Sequence, residues 1–585
     1  MSAALAVAAL VCLPLAASST DVTAMGGLGL AGVLSGWGWG AVLLAVLACA
    51  AEFAGRARPR VLGFATGTLI LCSTGMPSVV ETGARIPTAW LHSGFVEVIA
   101  RTGRVPADVD ARFSWAGFFA QWAWITEAGG GASLDVVLRW TPPVIVVVWA
   151  VGVFAIARPL LGAGRGPWVA VWLFCGANWI EQDYFSPQAT AIVFVLAVLA
   201  LVVGPLATRR VRPEDEGWPL PDPGASPSGP VRRMLVAALT PVRRPDVPGS
   251  QVLLSWLACG LCLLAVVVDH QLTPFALGGQ LLVLALAGRF WGRWLVLVLI
   301  AAELTWVVIG AREVWLAQLQ LITGDLGDVQ GALSSSLLGR LVGDPGQLVV
   351  KAARIVTALA TWLLALMGAW IRWRRDREVV LLLVALVPVV LVAAQSYGGE
   401  VLLRVMLYGL PVLAVLGAEA IRTVGTRWRR RPAAGLSVVA MIATFLLLVV
   451  LRGGNDSYLQ VTPRDVAITR AVIAETPPGA KLLPLSRGAP LSVARVGELT
   501  QVNSARGCSE LADDLRRCVD LERPDRILVM PNMDAGGVAL ENRPPGWTRD
   551  AVRFLTASGA YRLAWQIDGP GGPGDVSALL VRVVP

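Results

Sequence analysis

Charged side chains are scarce in this sequence of 585 residues. Asp, Glu, Lys and Arg together make up 15% of it, and hydrophobic residues make up 55%. Ordinary soluble domains are about a quarter charged, so most of the chain is predicted to lie in a membrane. The net charge of +9 does not indicate a nucleic-acid partner, because most arginines form short clusters between apolar runs.

Cysteine patterns that indicate a metal site are also scarce. Cys259-Gly-Leu-Cys262 has the spacing of a CxxC pair, but it lies in the middle of an apolar run without a second pair. Six of the eight cysteines fall within apolar runs, where a thiol usually behaves as a small hydrophobe. Only Cys508 and Cys518 lie in the polar C-terminal part, and a disulfide between them is predicted if that part is outside the cell. That part also has no nucleophile elbow and no Gly-rich phosphate loop, so we expect it to have a binding or docking role rather than a catalytic one.

Apolar runs of about the length that crosses a ~30 Å bilayer core dominate the first 451 residues. They lie at 3–17, 37–53, 61–79, 141–156, 168–177, 189–203, 252–268, 274–290, 294–309, 355–371, 379–394, 405–421 and 436–451. The first is interpreted as a span, with a weak signal peptide as the alternative. Basic linkers alternate with linkers that lack basic clusters, which predicts a cytoplasmic N-terminus and cytoplasmic basic linkers.

The fold class predicted from these runs is mostly α: a polytopic α-helical protein of the plasma membrane with about 13 transmembrane helices. The transmembrane domain is placed at 1–451, with an outer loop at 80–140 that carries surface helices and a cytoplasmic loop at 208–250. Residues 452–585 are predicted to form a small extracytoplasmic α/β domain. Its helix-like stretches are 463–475 and 548–558, and its strand-like runs are 481–485, 526–530 and 576–583.

A polar stretch, Asn178 to Gln188, interrupts the apolar runs at 168–177 and 189–203. Such a turn is costly in lipid, so it is expected at the outer surface or facing a polar cavity. Glu181 and Asp183 can bind a divalent cation such as Mg or Mn through their oxygens, or share a proton. The alternative is a loop whose acids point into water. Side chains that can hold a sugar here are Trp179, Gln182 and Tyr184.

Further candidates lie in the other predicted outer segments. Glu81 follows a span end, where a carboxylate can reach a lipid-linked substrate, although a solvated carboxylate is equally consistent with this position. Glu400 and Arg404 are spaced as an intrahelical ion pair, and Arg404 is alternatively a phosphate ligand. The two histidines, His92 and His270, are both predicted outside, as hydrogen-bonding structural residues or as substrate ligands.

Four motifs together resemble many-pass actinobacterial proteins of the glycosyltransferase C (GT-C) superfamily type. They are Trp90-Leu-His92-Ser-Gly94 with Arg112-Phe-Ser-Trp-Ala-Gly-Phe-Phe119, Asn178 to Gln188, His270-Gln-Leu-Thr-Pro274, and Tyr397-Gly-Gly-Glu400-Val-Leu-Leu-Arg404 with Leu410-Pro411. The resemblance implies a transferase that uses polyprenyl-phosphate sugars at the outer face of the membrane. It also implies a catalytic carboxylate in the first large outer loop, here Glu81, and a metal-binding acidic pair, here Glu181 and Asp183.

The resemblance implies transfer of a hexose or pentose from a polyprenyl-phosphate donor to a glycan or lipid acceptor of the cell envelope. Glu81 or Asp183 is expected to act as the base. Arg85, Arg112 or Arg404, or a metal on the acidic pair, is expected to stabilise the leaving phosphate. The alternatives are a transporter or flippase for a lipid-linked glycan, and a non-catalytic envelope assembly protein.

Overall fold

The structure is a computed structural model that describes residues 1–208, 245–312, 343–394, 400–427, 430–501, 515–569, 572 and 574–583. Within these residues, seven helices are long and apolar enough to cross a membrane, and six shorter helices are also apolar. The long ones are Ser2–Ser19, Gly36–Ala54, Asp135–Leu161, Gly249–Asp269, Pro345–Asp376, Val401–Arg427 and Arg430–Gly453. The shorter ones are Pro59–Ser73, Gly166–Ala177, Pro187–Val203, Thr273–Leu286, Trp294–Gly310 and Val380–Val390.

Each of these helices coincides with one of the predicted apolar runs, so the predicted class of a multi-pass helical membrane protein is confirmed. Several begin with proline in the first turn, where the missing N–H costs nothing; examples are Pro59, Pro187 and Pro345. The helix Asp135–Leu161 begins inside the segment expected to be outer loop. Most of the predicted cytoplasmic loop lies outside the described residues.

Two ends of the helix bundle are defined by contacts between linkers. At one end the basic linkers meet, through hydrogen bonds from Arg165 to Gly55 and from Arg422 to Leu161, and through the Arg289–Glu378 ion pair. At the opposite end lie the described parts of the remaining linkers and of the chain beyond Gly453. We call the second end the outer end, following the orientation predicted from the basic linkers.

Short helices cover the outer end between the first spans and within the C-terminal part. They are Val22–Ala24, Leu30–Val33, Met76–Val80, Pro87–Thr102, Ala111–Trp115, Gly117–Ala128, Leu391–Ala394, Asp456–Leu459, Pro463–Glu475, Leu491–Val493, Leu515–Glu522, Pro531–Glu541 and Trp547–Ala557. The helix Pro463–Glu475 has a capping box, in which Thr462 and Asp465 satisfy each other's backbone N–H groups.

A five-stranded sheet lies in the C-terminal part, where the sequence predicts an α/β domain with three strand-like runs. Its strands are β1 (Lys481–Pro484), β2 (Thr500–Gln501), β3 (Arg526–Val529), β4 (Tyr561–Asp568) and β5 (Val576–Arg582). They are ordered β2-β1-β3-β5-β4. β1 pairs in parallel with β2 and β3, while β5 pairs antiparallel with β3 and β4. Strands β1, β3 and β5 occupy the predicted runs; β2 and β4 were not predicted.

The C-terminal part shares one hydrophobic core with the first outer loop. Phe95, Phe113 and Phe119 of that loop are buried in the same cluster as Ile527 and Leu579 of the sheet. The first outer loop and the C-terminal part come very close at Gly94, where an added Cβ would lie 1.6 Å from the carbonyl oxygen of Ser492. The loop helices and the sheet therefore pack as one layer over the outer end.

Candidate functional site

The loop between the helices Gly166–Ala177 and Pro187–Val203 turns into the protein. Asn178 ends the first helix, and the Ser186 side chain caps the second by accepting a hydrogen bond from Ala189 N–H. Asn178, Glu181 and Asp183 are all buried. Glu181 has a φ of 61°, an unusual conformation for a residue with a side chain. Such strain persists only where the surroundings hold the residue in place.

Seven charged side chains and one amide surround this loop in what we call the outer ion network. Its members are Glu81, Arg85, Glu181, Asp183, Arg354, Arg452, Asn455 and Asp456, and the carboxylates among them are all at least nine-tenths buried. The network joins the first outer loop, the loop 178–186 and the ends of two spans to the start of the C-terminal part.

Arg85 is the centre of the network. Its Nη2 donates to Glu181 Oε1 over 2.5 Å, and its Nη1 donates to Asp456 Oδ1 and to the carbonyl oxygen of Arg452. Glu181 accepts two further hydrogen bonds on Oε2, from Arg354 at 3.3 Å and from Asn455 at 3.1 Å. These partners explain how Glu181 is held in its strained conformation.

Asp183 forms a separate ion pair with Arg452. The Nη2 of Arg452 lies 2.9 Å from Asp183 Oδ2, and each side chain is only 1% exposed. The Nη1 of Arg452 donates to the carbonyl oxygen of Asn178 over 3.0 Å. The ion pair therefore fastens the loop to the end of the last span.

Glu81 differs from the other acids of the network. It is 1% exposed, and no N–H or O–H of the described residues donates to either of its carboxylate oxygens. Burial and the charge of Asp456 raise its pKa well above the usual range, against the attraction of Arg85. Burial also raises the pKa of Asp456, to about 6, although Arg85 opposes this shift.

A small cavity opens beside Glu81. Its volume is about 20 Å³, enough for a water molecule, and its lining includes Ser78, Glu81, Arg85, Leu138, Arg139 and Tyr184. Arg139 is half-buried, and its Nε donates to the carbonyl oxygen of Ser78 over 2.7 Å. The cavity thus brings a carboxylate, two guanidinium groups and a phenol ring together where the span Asp135–Leu161 begins.

The two histidines are built into the structure by hydrogen bonds. The Nδ1 of His92 donates to the carbonyl oxygen of Phe185 over 2.8 Å, and its ring stacks on Tyr184. Burial lowers the pKa of His92 to about 3, so its ring is neutral. The Nδ1 of His270 accepts from Thr273 N–H, and burial followed by the charge of Arg404 lowers the His270 pKa well below its usual range.

Several other predicted site residues lie outside the network or at its edge. Arg112 forms an ion pair with Asp110 at 2.6 Å, and Arg404 forms one with Glu400 at 3.3 Å. Trp179 lies under Arg354, whose guanidinium is 5.8 Å from its ring centre. The side chain of Gln182, in the same loop, is half-buried.

The predicted residues are thus only partly gathered in one place. Glu81, Arg85, Glu181, Asp183 and Tyr184 are brought together around the buried loop. His92 contacts this group through Tyr184. The cavity lining includes neither His92 nor the other predicted residues, which are Arg112, Trp179, Gln182, His270, Glu400 and Arg404.

The predicted disulfide remains a prediction. Cys518 is buried on the helix Leu515–Glu522 and takes part in a disulfide. Cys508, the partner predicted from the sequence, lies outside the described residues.

Sequence reasoning missed Arg139, Arg354, Arg452, Asn455 and Asp456. The three arginines carry a signal that could have identified them, because each lies near the outer end of a span outside any arginine cluster. Basic residues are less common on that side under the positive-inside rule, so isolated ones there need a local reason. Asn455 and Asp456 directly follow the last span and have no comparable pattern.

The acidic pair 181–183 does not fit a divalent cation in this arrangement. Both oxygens of Glu181 are occupied by guanidinium or amide donors, and Asp183 is paired with Arg452. Three guanidinium groups nearby would repel a metal ion, which also needs several oxygen ligands. Within the described residues, no group of three or more His, Cys, Asp or Glu side chains could hold a metal.

The fold and the site together define a multi-pass helical membrane protein with a buried ionic site at its outer end. No protein-family model and no curated protein sequence matches the chain. Among solved structures, the chain is similar at 12% identity to ArnT from Cupriavidus metallidurans in the apo state, over 85% of this chain and 93% of that one (TM-score 0.44).

It is likewise similar, at 12% identity, to ArnT from Cupriavidus metallidurans bound to undecaprenyl phosphate. That match covers 90% of this chain and 98% of that one, with a TM-score of 0.48. Similarity at this level assigns neither an activity nor a ligand to this chain.

Proposed function

We propose that this protein is a membrane glycosyltransferase of the GT-C type. It moves a sugar from a polyprenyl-phosphate donor to a glycan or lipid acceptor of the cell envelope, on the outer face of the membrane. The observation that carries the proposal is the buried carboxyl group of Glu81. Its oxygens have no N–H or O–H donor among the described residues, and it faces a cavity at the outer end of a span.

Glu81 is the proposed general base. Its carboxylate takes the proton of an acceptor hydroxyl while that oxygen bonds to the anomeric carbon of the sugar. The bond from that carbon to the phosphate oxygen breaks, and its electron pair leaves with the polyprenyl phosphate. A carboxylate with a raised pKa is a stronger base than an ordinary one, which suits this step.

Arg139 is the proposed partner of the donor phosphate. It is half-buried in the cavity beside Glu81, at the start of a membrane span, where a lipid-linked phosphate arrives at headgroup depth. Its Nε and Nη2 donate to the carbonyl oxygens of Ser78 and Val79, so the phosphate would bind at the N–H groups of Nη1. Arg85 supplies positive charge on the other side of Glu81, although Glu181 and Asp456 already occupy its donors.

Asp183, the other carboxylate predicted as the base, has a positioning role in this proposal. Its buried ion pair with Arg452 would have to break before it could accept a proton, and that would leave a buried cation without a partner. Glu181 is committed in the same way to Arg85 and Arg354. Among the acids of the loop and its surroundings, Glu81 is therefore the best base.

The test uses the full-length protein in lipid nanodiscs with a panel of polyprenyl-phosphate sugars carrying radiolabelled hexoses and pentoses. A lipid and glycan extract of the cell envelope serves as acceptor. Glu81→Gln should lower transfer by about 10²–10⁴-fold, which is the usual contribution of a general base. Glu97→Gln, which changes a more exposed carboxylate of the same outer loop, is the matched control.

Binding is measured separately, by the shift in melting temperature on adding polyprenyl phosphate. Glu81→Gln should keep this shift, whereas Arg139→Gln should reduce it. If Glu81→Gln transfers sugar within a fewfold of the wild-type rate, Glu81 is not the base. If no donor of the panel supports transfer although polyprenyl phosphate binds, the protein is not a transferase for these sugars.

A transporter or flippase is the second candidate, and Glu303 is the observation that favours it. Glu303 is buried within a span, and no N–H or O–H of the described residues donates to its carboxylate. An ionisable group inside a span often marks a transport path. In nanodiscs, which have no lumen, a flippase binds polyprenyl phosphate but transfers no sugar. In sealed vesicles it moves the lipid-linked glycan across the bilayer, and Glu303→Gln stops this movement.

A further inference from the structure

The chain just beyond the last span supplies a second carboxyl group to the site. Asp456 begins the short helix Asp456–Leu459 and is fully buried. Its Oδ1 accepts from Arg85, whereas no N–H or O–H of the described residues donates to its Oδ2. Its carboxyl group is a direct neighbour of that of Glu81, and both are next to Arg85.

Two ionised carboxylates cannot bond to each other, because each has only acceptor oxygens. Side by side in a buried place they repel, and the usual resolution is that the two groups keep one proton between them. Three carboxylate oxygens lack a donor here: both oxygens of Glu81 and the Oδ2 of Asp456. One proton between the two groups would join an oxygen of Glu81 to the Oδ2 of Asp456 and so satisfy two of these three oxygens.

The charge balance of the network leads to the same conclusion. Four carboxylates, of Glu81, Glu181, Asp183 and Asp456, face three guanidinium groups, of Arg85, Arg354 and Arg452. Asp183 and Arg452 neutralise each other, and Arg85 and Arg354 balance two of the remaining three acids. One negative charge is left over, and burial makes it costly. A single proton removes it.

Arg139, the other cation at the cavity, is less able to balance that charge. It is half-buried rather than buried, and its Nε and Nη2 donate to the carbonyl oxygens of Ser78 and Val79. Tyr184 also lines the cavity. The groups that face the carboxyl pair are thus Arg85, Glu181, Arg139 and Tyr184.

We propose that Glu81 and Asp456 share one proton and act as a pair, in which Asp456 is the positioning residue for the base. The pair exists in the resting protein, and its use in catalysis rests on the proposed function. As Glu81 takes the proton of the acceptor hydroxyl, it passes its own proton to Oδ2 of Asp456. Both carboxyl groups are then neutral, and Oδ1 of Asp456 remains on Arg85.

The pair is tested by infrared spectroscopy on the full-length protein in nanodiscs, without donor or acceptor. At pH 7 the spectrum should contain a carbonyl stretching band that belongs to the pair and shifts in D₂O. Glu81→Gln and Asp456→Asn should each remove this band, because three acids then balance three guanidinium groups. Difference spectra against the wild type cancel the bands of other protonated acids, such as Glu303. Asp135→Asn, which changes a half-exposed acid at the outer end, should leave it unchanged.

The proposal is overturned if the wild-type protein shows no such band at pH 7, or if Asp456→Asn leaves the band unchanged. Asp456→Glu keeps the second carboxyl group and is the variant to measure if Asp456→Asn does not fold. It should keep the band at a shifted frequency. Loss of the band in a folded Asp456→Glu protein also overturns the proposal. The spectrum needs no turnover, so a protein that shows the band but transfers no sugar contradicts only the proposed function.

Discussion

The ion pair between Asp183 and Arg452 gives the sharpest prediction, because it separates a structural carboxylate from a catalytic one. Both side chains are 1% exposed. Removing one partner of such a pair leaves the other charge buried and typically costs about 3–5 kcal/mol. Asp183→Asn should therefore lower the melting temperature strongly, because the Arg452 guanidinium keeps its charge without a counter-ion.

The effects of the partner variant and the double variant follow from the same contacts. Arg452→Met leaves Asp183 uncompensated, and it also removes the hydrogen bond to the carbonyl oxygen of Asn178, which adds about 1–3 kcal/mol for an unsatisfied buried group. The double variant Asp183→Asn with Arg452→Met has no buried charge left at this place. It should be more stable than Arg452→Met alone, with a coupling energy of about 2–3 kcal/mol.

Thermal unfolding in nanodiscs, followed by the fluorescence of the 23 tryptophans, measures these variants. The order of the melting temperatures is the readout, so the test does not require reversible unfolding. The structural role of Asp183 is refuted if Asp183→Asn melts like the wild type while sugar transfer falls by about 10²-fold or more. That result would make Asp183 the base.

Three further predictions concern pH, packing and metal. The folded His92 has a pKa of about 3, below its ordinary 6.5, so its contribution to stability is complete above pH 6.5 and is lost as the pH falls toward 3. At pH 5 the loss is about 2 kcal/mol, and His92→Phe should remove this part of the acid sensitivity in thermal unfolding. Gly94→Ala should destabilise the protein by about 1–3 kcal/mol or more, because its Cβ would clash with the Ser492 backbone. Millimolar EDTA or Mg²⁺ should leave the melting temperature unchanged, since Glu181 and Asp183 are occupied by arginines.

Each of these predictions has a control or a contrary outcome. Gly67→Ala, at a helical glycine with open space around its Cβ position, should be neutral or stabilise by up to about 1 kcal/mol. An equal loss of stability for Gly67→Ala and Gly94→Ala would contradict the close approach to Ser492. A His92→Phe protein as acid-sensitive as the wild type would show that His92 is not buried neutral. A melting temperature that rises with Mg²⁺ or Mn²⁺ would restore the metal site.

The fold was predictable because each of its parts has a local pattern. The apolar runs, the basic linkers and the alternating runs of the C-terminal part depend on residues close together in the chain. The strand β4 was missed because its side chains are mostly exposed, so it lacks the continuous buried run that marks β5. The cap at Ser186 and the proline after it follow standard helix-start chemistry.

The site was predictable only as far as its residues stand near a span end. Glu81, Glu181 and Asp183 were found from their positions, but their separate environments were not. Arg85 and Asp456, which bond directly, are 371 positions apart in the chain. Pairings between residues so far apart in the chain depend on how the spans pack. A single sequence has no local pattern that indicates this packing.

The late position of Arg452 and Asp456 has a consequence for how the protein is made. Asp183 and Arg85 are synthesised long before their partners Arg452 and Asp456, because the last span leaves the ribosome after all the earlier spans. Until then, Asp183 has no ion-pair partner, and Arg85 lacks one of its two carboxylates. The site therefore assembles only after the last span has inserted, and a chain cut before Arg452 would enter the membrane with an unfinished, hydrated centre. Quality control could recognise such a centre through its open charges.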